Sequence, residues 1–177
     1  MEYLYNYNFL ISNLTLLGHV LLALFIIAFF FRNKIKNLWF LYVDNYLFVT
    51  LFFSVSAFLG SLFYSVVIGF HPCSLCYWQR IFMYPMLFIS TLSLVRKEKL
   101  DSSYFLMLSG IGSAISLYHL YLQFTPNPLP CSITGQGVNC SDNWVLEYGY
   151  ITIPVMALTC FLHIFIVNLY NKIQKNN

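Results

Sequence analysis

The sequence predicts an all-α, polytopic membrane protein, a four-helix transmembrane bundle core plus one additional N-terminal transmembrane helix. Three observations carry that prediction. The chain of 177 residues is 59% apolar and only 8% charged, whereas soluble domains carry about 25% charged residues. Its apolar residues gather into five runs, each close to the ~20 residues needed to cross a hydrocarbon core ~30 Å thick. The basic residues fall mainly between those runs, in alternate connections. So little polar side chain cannot cover a water-facing surface. Runs of this length suit helices rather than the strands of about ten alternating residues found in membrane barrels.

The first run, Leu14–Phe31, has no basic residue before it and Arg32, Lys34 and Lys36 after it. That polarity is the reverse of a cleaved signal peptide, so the segment is expected to remain as a helix with its N-terminus outside. The second run, Tyr46–Phe70, is uncharged and ends at HPCSLC, residues 71–76. The third, Tyr77–Val95, is followed by Arg96, Lys97 and Lys99. The fourth, Ser102–Gln123, contains Ser109, Gly110, Gly112 and Ser113, small residues of the kind that let helices approach closely in lipid. A long loop over 124–147 holds Pro126, Pro128, Pro130, Gly135 and Gly137. The fifth run, Tyr148–Tyr170, precedes Lys172 and Lys175. Pro85 and Pro154 are expected to kink their helices.

Five crossings place eight of the nine basic residues on one face. The positive-inside rule makes that face cytoplasmic. The N-terminus and both cysteine-bearing loops then lie outside, with the C-terminus in the cytoplasm. The expected organisation is an extra helix and its loop over 1–45, a membrane domain over 46–172 and a tail over 173–177. Arg80 is the one basic residue left on the outer half. No basic patch remains to bind nucleic acid.

Four of the five cysteines form two pairs in the outer loops: Cys73 with Cys76, and Cys131 with Cys140. Cys160 lies within the last run, where a lone buried thiol is a small hydrophobe. An oxidising compartment favours disulfides, and three readings of the pairs stand side by side. Structural disulfides suit Cys131–Cys140 better than Cys73–Cys76, because a two-residue spacer closes a loop too small to stabilise much. A four-thiolate zinc site has a common half-site in C-x2-C, but its other half has eight intervening residues and no zinc module around it. A dithiol–disulfide relay fits the placement of Cys73 and Cys76 before a helix, where unpaired N–H groups stabilise a thiolate. A helix beginning near Ser74 sets Cys76 and Arg80 at i and i+4, so Arg80 is expected to steady a Cys76 thiolate or an anion beside it.

The stretch CSLCYWQRIFMYP, residues 73–85, resembles the hallmark of the DsbB family of disulfide bond formation proteins, and is most similar to its BdbC-like branch. His119-Leu-Tyr-Leu-Gln123 is similar to the family's fourth-segment motif. The loop from Pro130-Cys131 to Cys140-Ser141, followed by YGYITIP at 148–154, also resembles that branch. The resemblance covers about residues 46–172. It implies a membrane thiol:quinone oxidoreductase of the bacterial inner membrane that reoxidises a DsbA-like, thioredoxin-fold partner and delivers electrons to quinone. Catalysis would then rest on Cys73, Cys76, Cys131 and Cys140. Cys131 and Cys140 would exchange with the partner, Cys131 being the sulfur attacked, and Cys76 would lie nearest the quinone. Arg80, Gln79, His119 and Gln123 would form the quinone site, and no metal is implied.

The chain departs from typical enterobacterial members at Gln79, where they carry Glu, and at Tyr118, where they carry Arg. The first helix lies outside the family's four-helix core. A vitamin K epoxide reductase-like enzyme would place its loop cysteines before the CxxC, the opposite order. Trp78, Phe82 and Tyr84 could wall an apolar quinone groove, and His119, four residues before Gln123, could deliver protons. His19 and His163 have no comparable context and are expected to be structural.

Overall fold

The computed structural model describes residues 2–30, 43–98, 100–125 and 140–176. Among them, five long helices run in chain order: α1, Glu2–Phe30; α2, Tyr46–Leu62; α3, Ser74–Arg96; α4, Ser102–Phe124; and α5, Ile153–Asn176. The protein is an all-α, polytopic membrane bundle. Among the described residues, four stretches are long and apolar enough to cross a bilayer: Tyr7–Ile27, Tyr46–Val67, Ser102–Phe124 and Ile153–Lys175. α3 is as long, at 23 residues, but Gln79, Arg80 and several serines dilute its apolarity. It packs against both α2 and α4 and turns Tyr77, Trp78, Ile81, Phe88 and Val95 outward.

The helix ends differ from the sequence expectation in ways that local chemistry explains. α1 begins well before Leu14, because Asn side chains there find partners on other segments of the chain. Tyr64 Oη donates to Asn8 Oδ1 at 3.0 Å, and Tyr148 Oη to Asn13 Oδ1 at 3.0 Å. α2 runs into a π-helical turn, Phe63–Val67, and stops before Gly69, whose φ of +80° suits glycine. α3 begins at Ser74 because Cys73 adopts an extended N-cap conformation, φ −72°, ψ 170°. α4 is capped by Asp101, whose Oδ1 accepts from the Ser103 amide at 3.2 Å. α5 starts at Ile153 rather than Tyr148, since residues 147–151 close a tight turn through the Glu147–Ile151 bridge. Gly149 supplies a φ of +76° in that turn.

α4 and α5 meet along a face of small residues. Ser109, Gly112 and Ser116 are buried there, and Ser109 and Ser116 return their hydroxyls to their own helix at Phe105 O and Gly112 O. A Cβ on Gly112 would run into the Phe161 ring, so only glycine permits this approach. The core gathers Tyr46, Leu47, Met83, Met86, Phe105, Phe161, Ile164 and Val167. A second, smaller cluster joins Cys73, Leu122 and Cys140, with Leu75 and Cys76 packed against it. That cluster marks the end of the bundle where the sulfurs collect.

Candidate active site

The site is assembled from three chain segments at one end of the bundle. The start of α3 supplies Cys73, Cys76, Gln79 and Arg80; α4 supplies His119 and Gln123; the segment before α5 supplies Cys140. Cys131 lies outside the described residues. Cys73 and Cys76 are free thiols with their sulfurs 3.4 Å apart, in contact but well beyond the ~2.05 Å of a disulfide. Cys140 is disulfide-bonded. The Cys73 and Cys140 sulfurs and a ring nitrogen of His119 all lie within 4.8 Å of one another, and all three residues are buried. That donor set would suit a soft metal only with Cys140 reduced, because a disulfide sulfur is not a thiolate ligand.

His119 is the hub. Its Nδ1 lies 3.2 Å from Gln79 Nε2, which makes Nδ1 the acceptor and leaves the proton on Nε2. Nε2 then donates to the Cys140 carbonyl oxygen at 3.1 Å and sits 3.6 Å from Cys73 Sγ. Gln79, 6% exposed, therefore selects the tautomer that points a donor at the sulfurs. The Cys73 thiol is pulled down from an ordinary value near 9 to about 4. The hydrogen bond from Cys76 contributes most, burial opposes it, and His119 lowers it further. A thiolate on Cys73 is thus favoured, at a helix start whose amide groups favour negative charge.

Arg80 stands where its charge acts on Cys76, and the backbone holds it there. Its Nη2 donates to the Ser61 carbonyl oxygen at 2.9 Å, and its guanidinium stands 5.8 Å from the Tyr77 ring centroid. Ser61 precedes the π-helical turn, and its carbonyl also accepts from Ser65 Oγ at 2.9 Å. Arg80 is thereby fixed as a charge on the cavity wall that it shares with Cys76. Ser61 gave no sequence signal, because a backbone acceptor is indifferent to residue type.

A cavity of about 450 Å³ opens beside this cluster, lined at this end by Cys73, Cys76, Gln79, Arg80, His119 and Gln123. Among the described residues, Gln123 Oε1 is buried without a hydrogen-bond partner. Of the three aromatic residues expected to wall a groove, Tyr84 lines this cavity; Phe82 packs on the core instead, and Trp78 is 46% exposed.

A comparison with known families decides the assignment. The family described as disulfide bond formation protein DsbB matches residues 44–171. The chain belongs to the DsbB family. It is 38% identical over 130 residues to the SPbeta prophage-derived disulfide bond formation protein B of Bacillus subtilis, covering 72% of this chain and 86% of that protein. It is 34% identical to the probable disulfide formation protein C of Halalkalibacterium halodurans, covering 72% and 93%. It is also 36% identical to the disulfide bond formation protein C of Bacillus subtilis, covering 68% and 87%. No solved structure matches. The DsbB-family match spans α2 to α5 and the whole sulfur cluster, whereas α1 lies outside it.

Proposed function

We propose that the protein is a membrane thiol:quinone oxidoreductase that reoxidises an extracytoplasmic, DsbA-like thioredoxin-fold partner. The observation that carries this reading is the meeting of the Cys73 and Cys140 sulfurs within 4.8 Å, where Cys73 and Cys76 line a largely apolar cavity. Two redox pairs so close can exchange electrons without a large movement.

The steps balance as thiol–disulfide exchange. The partner's thiolate attacks Cys131 of a Cys131–Cys140 disulfide, and its second thiol then closes the partner's own disulfide, leaving Cys131 and Cys140 reduced. Cys140 attacks Cys73 of a Cys73–Cys76 disulfide and releases Cys76. Cys131 then re-forms its bond with Cys140, so both electrons rest on Cys73 and Cys76. His119 donates toward the Cys73 thiolate and so stabilises the leaving or arriving charge. Finally Cys73 and Cys76 give up two electrons and two protons as their own disulfide closes.

A quinone bound in the cavity supplies the sink, taking two electrons and two protons to become a quinol. The residues present fit such a group. The unpartnered Gln123 oxygen can accept from a hydroxyl, Arg80 offers a fixed charge, and the rest of the lining is largely apolar. A sink is required because a DsbA-type partner is itself strongly oxidising, at about −120 mV, and only an acceptor of higher potential can reoxidise it.

The basic residues support a cytoplasmic face opposite the sulfurs, and hence a location in the bacterial inner membrane. The hydrogen bond of Asn13 to Tyr148 ties the N-terminal half of α1 to the segment that follows Cys140, consistent with an N-terminus on the sulfur side. The test is to purify the protein in detergent, add reduced partner and quinone, and follow quinone absorbance. Steady reduction that disappears in Cys76→Ser is expected; equal turnover in that variant would reject the relay.

A further inference from the structure

The cavity does not stop at the sulfurs. It continues along α1, whose Ile11, Leu14, Gly18 and Leu21 line it opposite Ala57 of α2 and Met156 of α5. We propose that α1 closes one side of the quinone cavity and forms, with α2 and α5, a subsite for the isoprenoid tail of the quinone. This rests on the quinone reading above and adds a ligand-binding role for the helix that the family match does not cover.

α1 is built to stay docked rather than to lie loosely in lipid. Ser12, Thr15 and Gly18 form its buried stripe, and a Cβ on Gly18 would lie 3.1 Å from Thr159 Cγ2, so the helices approach closely. His19 reaches two partners at once: its Nε2 lies 2.9 Å from Thr159 Oγ1 and its Nδ1 lies 3.3 Å from Tyr150 Oη. Nearer the sulfurs, Tyr7 stacks on Phe63, and Asn8 accepts from Tyr64. Both contacts fall on the π-helical turn that follows the Arg80-binding carbonyl.

The occupant follows from continuity. Whatever fills the cavity must present a polar, redox-active head to Cys76 and Arg80 and an apolar body to α1. From Ile11 to Leu21 the helix rises about 15 Å, half of a ~30 Å hydrocarbon core. An isoprenoid quinone has that shape. A phospholipid has the tail but lacks a head that two thiols can reduce.

The experiment uses a long-tailed quinone bearing a diazirine near the end of its tail, illuminated with the full-length purified protein and mapped by mass spectrometry. Cross-links in the α1 peptide spanning Leu14–Leu21, reduced at least fivefold by unlabelled long-tailed quinone but not by phospholipid, are expected. Equal competition by phospholipid would make this a lipid site and overturn the proposal. As a second arm, Leu21→Trp should raise the ratio of KM for a long-tailed quinone to that for a single-isoprene quinone about tenfold; an unchanged ratio in a folded variant overturns it. If the single-isoprene quinone is reduced while α1 stays unlabelled, the tail subsite alone fails. If no quinone is reduced or cross-linked, the quinone reading fails and takes this one with it.

Discussion

Two polar clusters lie at opposite ends of the bundle, and they are built for different ends. At the end away from the sulfurs, Tyr46 Oη donates to Leu100 O at 2.6 Å and Ser102 Oγ to Asn171 Oδ1 at 2.9 Å. Asn171 Nδ2 reaches Val43 O at 3.2 Å, and Asn168 Nδ2 reaches Thr50 Oγ1 at 3.0 Å. These are amides and hydroxyls joining one segment to another, the interhelical glue expected where lipid gives no hydrophobic drive between helices. At the other end, Gln79, His119, Cys73, Cys76 and Cys140 also bond across segments, but the chain ends on two thiols and opens onto a cavity. What separates structure from chemistry inside a membrane protein is therefore not polarity. It is whether the polar network ends on a group that can change its electrons or protons where a ligand can reach it.

The sharpest way to break that contrast is to remove a sulfur. Cys76→Ser should lower quinone reduction to roughly one thousandth of wild type or less, while circular dichroism and thermal midpoint in detergent stay close to wild type. A large loss of helicity instead would make the sulfur cluster structural.

Packing comes next. Gly112→Leu drives a side chain into Phe161 and should destabilise the bundle by about 1–3 kcal/mol, read as a lower thermal midpoint. An unchanged midpoint would mean that α4 and α5 are not held as closely as the structure has them.

The third test concerns the thiolate. Because Cys73 is held down to about 4, its anion persists as pH falls from 8 to 5, and iodoacetamide labelling of the reduced protein at Cys73 should stay nearly flat over that range. Protonation below about pH 4 should then suppress labelling. His119→Ala should move that midpoint up by about one pH unit, and Cys76→Ala should move it further, since the Cys76 hydrogen bond is the larger cause. A midpoint near 8.5 in wild type would remove the case for a thiolate at the helix start.

The smallest effect belongs to the glue. Asn168→Leu should cost about 0.6 kcal/mol, the average for such bonds in membranes, with quinone turnover per folded molecule unchanged within twofold. A loss of turnover matching that of Cys76→Ser would erase the distinction between the two ends.

Much of this arrangement was legible beforehand. Cys73 and Cys76 announced themselves by spacing and by their position before an apolar run, and His119 with Gln123 by sharing one face of a spanning segment. The role of Gln79 was not readable, since a glutamine beside an arginine says nothing about a histidine forty positions downstream. Nor was the orientation of Arg80. Helical spacing set it near Cys76, whereas the carbonyl that holds it, that of Ser61, lies on α2 just before the π-helical turn. His19 looked isolated in the sequence because its partners, Thr159 and Tyr150, come from the far end of the chain.

Composition and periodicity alone determined that this chain lives in lipid, how many helices it forms and where its thiols fall, because burial in hydrocarbon is a property of each segment by itself. The meeting of Cys73 with Cys140, the tautomer of His119 and the place of α1 against the cavity were decided only by the folded bundle. Those depend on which helix faces which, and close packing around residues such as Gly112 and Gly18 sets that through distances no single segment encodes.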